Sequence, residues 1–565
     1  MKEKVVVIGL DGATFDTLEP LIEAGELPTF KAMLDEGISG RLRSVVPPIT
    51  TTAWASFMTG KNPGKHGIYN FTVKDKRSGR DVPANARLRS GKTLWELLSE
   101  AGRTVLVLNV PTTYPPEKLN GVVIADFLTP KGARDFIYPQ ALVDEIERKF
   151  GPYPLYLQQS IFAANLSEGN VERFLRELHE ELTYKFAVAH YLMDHYDAEF
   201  VMLHLWGTDR IQHELWDLLD ATHPRYKKAL ADKFRTQIIG YFRALDAEVG
   251  RVYHRIDDDA TMLLVSDHGF GPIHKLIDLN VWLLEQGYIA IKGTPLARVR
   301  YAIWKLGLTY EVVLKLLLKT VLKWGLKLPE KAPVDAIRLA MAHKSRAEFL
   351  LSINDVDWMR TKAFCKPGAG QIFINVAGRE PQGCVKPGKE YETIRQEIAA
   401  KLRRLRDPVT GAEVGGDVFA REEIYSGPHL DDAPDLTFLP LENKSIPVSG
   451  FSFITRRSVI DVPMMFGNHR MLGLLIGIGK HLQRGTRLPE ASLMDIAPTI
   501  LYLMGHRIPK DMDGKVIVDM LSEDFLAANS IDFMDSEEQS ASEAHVMSQQ
   551  DEEEVINRLK DLGYL

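Results

Sequence analysis

Seven polar side chains stand at or near the predicted starts or ends of buried segments, and their types suit metal-assisted chemistry. They are Asp11, Thr50, Asp209, His213, Asp267, His268 and His469. Carboxylate, hydroxyl and imidazole groups bind divalent cations such as Zn²⁺ and Mn²⁺, and the set contains no sulfur. Four oxygen and three nitrogen donors are enough for two cations. The residue types therefore predict a two-metal site for phosphoryl transfer.

Thr50 follows a Pro-Pro pair and precedes AWASFMTG, which is typical of the start of a helix. The first turn of a helix has free backbone N–H groups and the positive end of the helix dipole, and both favour a bound phosphate. Threonine is also a common N-cap residue, so a capping role is the alternative.

The acidic residues follow strand-like runs. Asp11 comes after a Val-rich run, and Asp267-His268 follows TMLLVS. Asp209 and His213 come after AEFVMLHLWG and are four residues apart, which places them on one face of a helix. A turn aspartate before glycine and a surface ion pair are the alternatives for Asp11 and the Asp209/His213 pair. Packing does not require carboxylates at three strand ends, so their recurrence favours a site.

Strands and helices alternate, which predicts an α/β fold with a mainly parallel central sheet and helices on both faces. The predicted strands are residues 4–10, 103–110 and 261–265, with further strands ending before Asp209 and following His469, which we expect in a turn. The predicted helices are residues 16–36, 93–102, 171–197 and 228–255.

Four regions are predicted along the chain. They are a core over residues 1–280, an inserted basic helical cap and accessory lobe over 281–430, a second core part over 431–522, and an acidic flexible linker with a short final helix over 523–565. Residues 292–346 hold 12 Lys or Arg against 3 Asp or Glu, with lysines at 315, 319, 323 and 327. The helix that carries these four lysines is predicted to cover a packed face of the protein. The alternative is peripheral contact with an anionic membrane or a lipid-linked substrate.

Composition limits the class of protein. The net charge of −7 argues against binding of a nucleic-acid polymer, and two cysteines exclude a disulfide framework and a cysteine-ligated metal cluster. The first residues show no secretory pattern, and no apolar stretch has the length of a membrane span. We therefore expect a cytoplasmic protein.

Five motifs carry a resemblance to a known family. VVVIGLDG, PPITTTAWASFMTGKNPGKHGI, DRIQH, SDHG and GNHR, in this order, resemble the type I phosphodiesterase/nucleotide pyrophosphatase family of the alkaline phosphatase superfamily. The resemblance implies an alkaline-phosphatase-like fold, phosphoester hydrolysis and two divalent cations, with Zn²⁺ expected first and Mn²⁺ second. It places the nucleophile nine residues before Thr59, at Thr50, with Thr51 as the rival, and it implies a phosphothreonine intermediate.

The resemblance also assigns the predicted ligands to the two cations. It assigns Asp11, Thr50, Asp267 and His268 to one cation, and Asp209, His213 and His469 to the other. A small-molecule or lipid-linked phosphodiester or phosphomonoester is the expected substrate, held by the Thr51 backbone N–H and by Arg210.

One position departs from the family pattern. Ala53 stands where nucleotide pyrophosphatases usually carry an asparagine that holds a phosphate oxygen, so the nature of the ester is left open. A phosphomutase of the same superfamily and a non-catalytic metal-binding scaffold are the alternative functions.

Overall fold

The computed structural model describes residues 3–75, 78–156, 168–256, 260–309, 312, 350–441, 445–448, 453–461, 467–536 and 547–564. The lysine series at 315, 319, 323 and 327 lies outside these residues, and the expectations for the basic helix stay predictions. No helix among the described residues is both long and apolar enough to cross a membrane. The cytoplasmic location stays a prediction.

The strands of the described chain are β1 Val5–Leu10, β2 Ile38–Arg43, β3 Thr72–Lys74, β4 Asp81–Pro83, β5 Val105–Leu108, β6 Gly121–Ile124, β7 Ile137–Tyr138, β8 Phe200–Leu205, β9 Thr261–Val265, β10 Gly269–Pro272, β11 Lys275–Asp278, β12 Ala363–Cys365, β13 Gln371–Ile374, β14 Gly416–Ala420, β15 Leu436–Pro440, β16 Ser445–Val448, β17 Val459–Asp461, β18 Gly467–Arg470, β19 Leu472–Ile478, β20 Thr486–Arg487, β21 Ala491–Ser492, β22 Ile508–Pro509 and β23 Phe533–Met534.

The α-helices of the same residues are α1 Phe15–Glu23, α2 Pro28–Glu36, α3 Thr50–Thr59, α4 Pro63–His66, α5 Leu94–Glu100, α6 Leu142–Phe150, α7 Glu168–His195, α8 Gly207–Leu219, α9 Lys228–Tyr253, α10 Leu279–Glu285, α11 Pro295–Lys305, α12 Lys389–Arg403, α13 Arg421–Ile424, α14 Ile496–Leu503, α15 Glu523–Ala528 and α16 Gln549–Asp561.

A ten-stranded sheet forms the centre, with the order β20-β2-β19-β9-β1-β8-β5-β6-β7 and with β21 also pairing with β2. The pairs from β9 through β1, β8 and β5 to β6 are parallel, whereas β19 and β7 run antiparallel to their neighbours. All six residues of β1 are buried, because helices cover both faces. The predicted α/β fold with a mainly parallel sheet is confirmed.

Alternate residues of β1 enter two different cores. Val6, Ile8 and Leu10 pack on the face that carries α1, α2, α7, α8 and α9. Val5 and Val7 pack on the opposite face, against α3, α5 and α14. This alternation is the two-residue period of a strand that is covered on both sides.

A smaller sheet, with the order β12-β13-β15-β14, packs with α12 in a separate core. The strand β11 pairs with β16 and β17. Strand β15 lies beyond the predicted boundary at residue 430, so the accessory sheet draws strands from both sides of that boundary. The chain returns to the central sheet at β19.

Three local predictions were wrong. Residues 16–36 form two helices, because the chain turns between α1 and α2 through Gly25, whose φ is +77°. His469 lies in strand β18 rather than in a turn. The predicted flexible linker holds helix α15 and strand β23, which pairs with β22. In its described part, residues 523–536, the acidic composition does not imply disorder, because Phe525, Leu526 and Ile531 pack against the core.

Candidate active site

The carboxyl ends of three adjacent parallel strands carry the predicted acids. Strand β1 lies between β8 and β9, and the chain leaves these strands at Asp11, at the helix bearing Asp209, and at Asp267-His268. Parallel strands end at the same edge of a sheet, so the side chains converge there. All four residues are buried, with at most 1% of their surface exposed.

The loop after β1 is fixed by helix α8. The hydroxyl of Thr208 donates to the carbonyl of Asp11 at 2.5 Å, and the side-chain amide of Gln212 donates to the carbonyl of Gly12 at 2.8 Å. Gly12 has a φ of +63°, and a Cβ there would lie 2.9 Å from the Phe270 ring. Glycine is therefore required where the backbone turns into the site.

His469 reaches the site through a short antiparallel ribbon. Strand β18 pairs with β10, and His469 lies opposite Phe270. The His469 ring stacks on His268, with ring centroids 3.6 Å apart. A residue that is far away in sequence is thus brought beside the end of β9.

Asp209, His213 and His469 form one group of potential metal ligands. The Nε2 atom of His469 lies 3.1 Å from Oδ1 of Asp209 and 2.9 Å from Nε2 of His213. Nε2 of His213 is 3.3 Å from the same carboxylate oxygen. The structure therefore brings together the three residues that were expected to share a cation, while their role as ligands stays a prediction.

Asp11, Asp209 and His268 form a second group, with one ligand atom from each residue and all three atoms within 4.8 Å of one another. Asp267 is adjacent, since its Oδ2 lies 3.3 Å from Nε2 of His268. The Thr50 hydroxyl is 3.4 Å from the same nitrogen. Asp209 belongs to both groups, which the sequence did not predict.

The orientation of the three histidines fits a cation. Nδ1 of His213, His268 and His469 lies 3.0, 3.1 and 2.7 Å from the backbone carbonyls of Gly467, Gly269 and Pro48, respectively. A carbonyl only accepts hydrogen bonds, so each Nδ1 carries the proton. In the neutral rings the Nε2 lone pairs then all point into the site, which is the arrangement of metal-ligating histidine.

Two buried oxygens also fit a cation. Asp11 Oδ1 and Asp267 Oδ2 have no hydrogen-bond partner, although each lies within 3.4 Å of His268 Nε2. Burial and the neighbouring Asp209 carboxylate raise the pKa of Asp11, and burial and Asp11 raise that of Asp267. A divalent cation would compensate this buried negative charge.

The pKa values of the histidines and of Asp209 shift for different reasons. Burial lowers the pKa of both His213 and His268, which favours the neutral rings. Burial alone would raise the pKa of Asp209, but the imidazoles of His213 and His469 hold that pKa well below its ordinary value. An ionised Asp209 carboxylate is a suitable ligand for a divalent cation.

Thr50 is the first residue of α3, a buried helix of ten residues. The N-cap residue is Ile49, and no side chain caps the helix. The hydroxyls of Thr51 and Thr52 are buried and have no hydrogen-bond partner. The capping alternative for Thr50 is therefore wrong, and the first N–H groups of the helix are left for another acceptor.

His204 belongs to the site but was not singled out in the sequence. Its Nε2 lies 2.9 Å from Oδ2 of Asp11, and the indole N–H of Trp54 donates to the same oxygen at 3.3 Å. Gly9 makes room for this indole, since a Cβ there would lie 2.6 Å from it. A single histidine inside the apolar run FVMLHL was the available signal.

We expect His204→Phe to weaken cation binding by about 10- to 100-fold, because partners that orient metal ligands usually have effects of this size. The substitution keeps a ring in β8 but removes the contact that holds Asp11 Oδ2. Titration with Zn²⁺ measures the effect. His190→Phe, which removes a half-buried histidine 3.5 Å from Glu248, is the matched control. Equal affinities in His204→Phe and the wild type would contradict the prediction.

Arg210 contacts Glu214 and also donates to the carbonyl of Leu562 at 3.2 Å. It is fully buried. These contacts tie Arg210 to the end of the chain, and its predicted contact with substrate stays a prediction. Tyr564 also belongs to the site, because its hydroxyl donates to Oδ2 of Asp209 at 2.7 Å. It is a second site residue that the sequence did not identify.

The chain is similar to known proteins in sequence and in fold. A family model described as type I phosphodiesterase/nucleotide pyrophosphatase matches residues 5–448. Phosphonoacetate hydrolase from Sinorhizobium meliloti 1021, solved with phosphonoformate, is a structural neighbour with 16% identity and a TM-score of 0.50, over 89% of this chain and 95% of that chain. Murine ectonucleotide pyrophosphatase/phosphodiesterase 5 has 11% identity and a TM-score of 0.45, over 92% of this chain and 100% of that chain. No curated protein matched.

Proposed function

Because the chain belongs to the type I phosphodiesterase/nucleotide pyrophosphatase family, and is thus a phosphoester hydrolase, we propose that Thr50 is its nucleophile. The proposed reaction cleaves a phosphodiester or phosphomonoester by in-line attack and passes through a phosphothreonine. The expected substrate is a small-molecule or lipid-linked ester.

One observation carries the assignment of Thr50. Its hydroxyl lies at the uncapped start of α3 and 3.4 Å from His268 Nε2. The nucleophile, free backbone N–H groups and the candidate metal ligands therefore meet at one point. A phosphoryl group placed there would have its oxygens near the N–H of Thr51, which supports the predicted role of that group.

The proposed cofactors are two divalent cations, most simply Zn²⁺ and otherwise Mn²⁺. Asp11, Thr50, Asp267 and His268 would hold one, and Asp209, His213 and His469 the other, with Asp209 close enough to the first group to influence both cations. When bound, such cations supply charge that lowers the pKa of a coordinated hydroxyl and stabilises a leaving oxygen. The converging Nε2 lone pairs and the unpartnered carboxylate oxygens support this assignment.

The proposed reaction consists of two displacements at phosphorus, the first by Thr50 and the second by water. The Thr50 hydroxyl releases its proton to solvent and its oxygen attacks phosphorus, so an Oγ–P bond forms while the bond to the leaving oxygen breaks. The leaving oxygen takes up a proton from solvent and departs as an alcohol. Water then attacks the phosphothreonine, which restores the Thr50 hydroxyl and releases the phosphate product.

Ala53 bears on which ester is cleaved. It is fully buried in α3, and its methyl group offers no hydrogen bond to a phosphate oxygen. The usual asparagine contact is therefore missing, and the N–H of Thr51 and Arg210 are the proposed substitutes. We leave the choice between diester and monoester to experiment.

The protein loaded with Zn²⁺ or Mn²⁺ is expected to hydrolyse nitrophenyl phosphoesters, and removal of the cations by a chelator should abolish this activity. Release of nitrophenolate from a bis-nitrophenyl diester and a nitrophenyl monoester measures it, and restoring the cation after chelation is the control. Phosphoryl transfer to an added alcohol in place of water would indicate the mutase alternative. Cation binding without turnover of a broad panel of phosphoesters would favour the scaffold.

A further inference from the structure

The last helix, α16, is part of the main core. Val555 and Leu559 are at most 1% exposed and belong to the same apolar core as residues of α7 and α8. Arg558 donates to the carbonyl of Thr129 at 2.8 Å, and Arg80 pairs with Glu552 at 2.9 Å. The helix is therefore anchored by buried apolar contacts and by hydrogen bonds at several points along its length.

The turn after α16 directs the next residues into the site. Gly563 has a φ of +84°, its N–H donates to the carbonyl of Lys560 at 3.0 Å, and the N–H of Tyr564 donates to the carbonyl of Leu559 at 2.9 Å. These two bonds with a left-handed glycine form a Schellman motif, which ends a helix in a defined direction. Tyr564 is thus held in place by the backbone.

Tyr564 lies beside the group of potential ligands formed by Asp209, His213 and His469, and its ring packs between neighbouring side chains. Its ring stacks on Phe71, with ring centroids 4.6 Å apart, and Arg210 lies 5.7 Å from the ring centroid. The same Arg210 donates to the carbonyl of Leu562. The phenol hydroxyl donates to Oδ2 of Asp209 at 2.7 Å.

We propose that Tyr564 is a positioning residue that orients the Asp209 carboxylate for cation binding. The inference rests on the proposed function, in which Asp209 is a metal ligand. With Oδ2 held by the phenol, Oδ1 faces His469 at 3.1 Å and His213 at 3.3 Å. A hydroxyl that donates to a buried carboxylate makes a strong and directional bond. The end of the chain thereby completes a site that is otherwise built by the central sheet.

A purely structural role predicts something different. In that case the phenol only secures the end of the chain, and removal of its hydroxyl would lower thermal stability without changing the affinity for cations. The positioning role requires that the affinity falls, because a carboxylate without its partner can rotate away from the two imidazoles.

The test is Tyr564→Phe in the full chain, titrated with Zn²⁺ alone in competition with a chromophoric chelator. Zn²⁺ affinity is expected to fall by about 10- to 100-fold. Tyr184→Phe is the matched control, since it also removes a hydroxyl that donates at 2.7 Å, in this case to the carbonyl of Gly151. Its affinity should equal that of the wild type.

Four outcomes of the titrations support or overturn the proposals. Equal Zn²⁺ affinity in Tyr564→Phe and the wild type overturns the positioning role. A wild type that binds neither Zn²⁺ nor, in a parallel titration, Mn²⁺ overturns the proposed two-cation function instead, so the two failures are distinguishable. If Tyr564→Phe does not fold, Phe71→Leu takes its place, because it removes the ring on which the phenol stacks. A reduced affinity in that variant supports the proposal, and an unchanged one overturns it.

Discussion

Thr50→Ala is expected to reduce phosphoester hydrolysis at least about a thousandfold, because it removes the proposed attacking oxygen. Cation binding should fall far less than activity, since Thr50 is only one of the proposed ligands and the carboxylates and imidazoles remain. Steady-state rates with a nitrophenyl ester measure the effect, and a Zn²⁺ titration of the same variant separates loss of the nucleophile from loss of the cations.

Thr52→Ala is the matched control for this experiment. Its hydroxyl is buried in the same helix and has no hydrogen-bond partner, as in Thr51. We expect Thr52→Ala to stay within about tenfold of the wild-type rate, as is usual for removal of a group that does not take part in the chemistry.

Thr51→Ala tests the register of the nucleophile. Full activity in Thr50→Ala together with loss of activity in Thr51→Ala would transfer the nucleophile to the rival position. Mass spectrometry of acid-quenched wild type supports the same decision, since a phosphoryl group should appear on the peptide that contains Thr50 and should be absent in Thr50→Ala.

Asp209→Asn is expected to weaken both cation sites by at least about 100-fold, which exceeds the usual effect of residues that only orient ligands. The reason is geometric, because Asp209 is common to the two groups of potential ligands. Asp11→Asn and His213→Ala each change only one group. We therefore expect each of these two variants to lose one bound cation and to retain the other. Metal content per chain after dialysis, together with Zn²⁺ titration, measures the difference.

Asp217→Asn is the matched control, because Asp217 is also fully buried in helix α8 but is not among the potential ligands. Its metal content should equal that of the wild type. If Asp209→Asn retained one cation with unchanged affinity, Asp209 would serve a single site. Circular dichroism of the metal-free variants checks that each substitution acts on the site and not on folding.

The positions of the acids could be predicted because strand ends are local features. A run of buried Val and Leu residues followed by Asp-Gly or Asp-His defines where a parallel strand stops. The parallel arrangement then requires that these ends lie together. The sequence alone therefore predicts that Asp11, Asp267 and His268 lie in one site.

His469 and His204 show where local reasoning failed. His469 was expected in a turn, but it lies in strand β18, whose pairing with β10 depends on a segment about 200 residues earlier in the chain. His204 lies in a buried strand, and only the parallel pairing of β8 with β1, in which His204 is opposite Gly9, places it beside Asp11.

The amino-acid sequence alone is enough to predict the donor types, their strand-end positions, the α/β fold and the hydroxyl at the start of a helix. Periodicity, turn residues and helix termini are short-range properties, so they can be read from neighbouring residues. The place of Asp209 in both ligand groups and its contact with Tyr564 appear only in the folded molecule. Contacts between such distant residues depend on how whole elements pack, which no local pattern specifies.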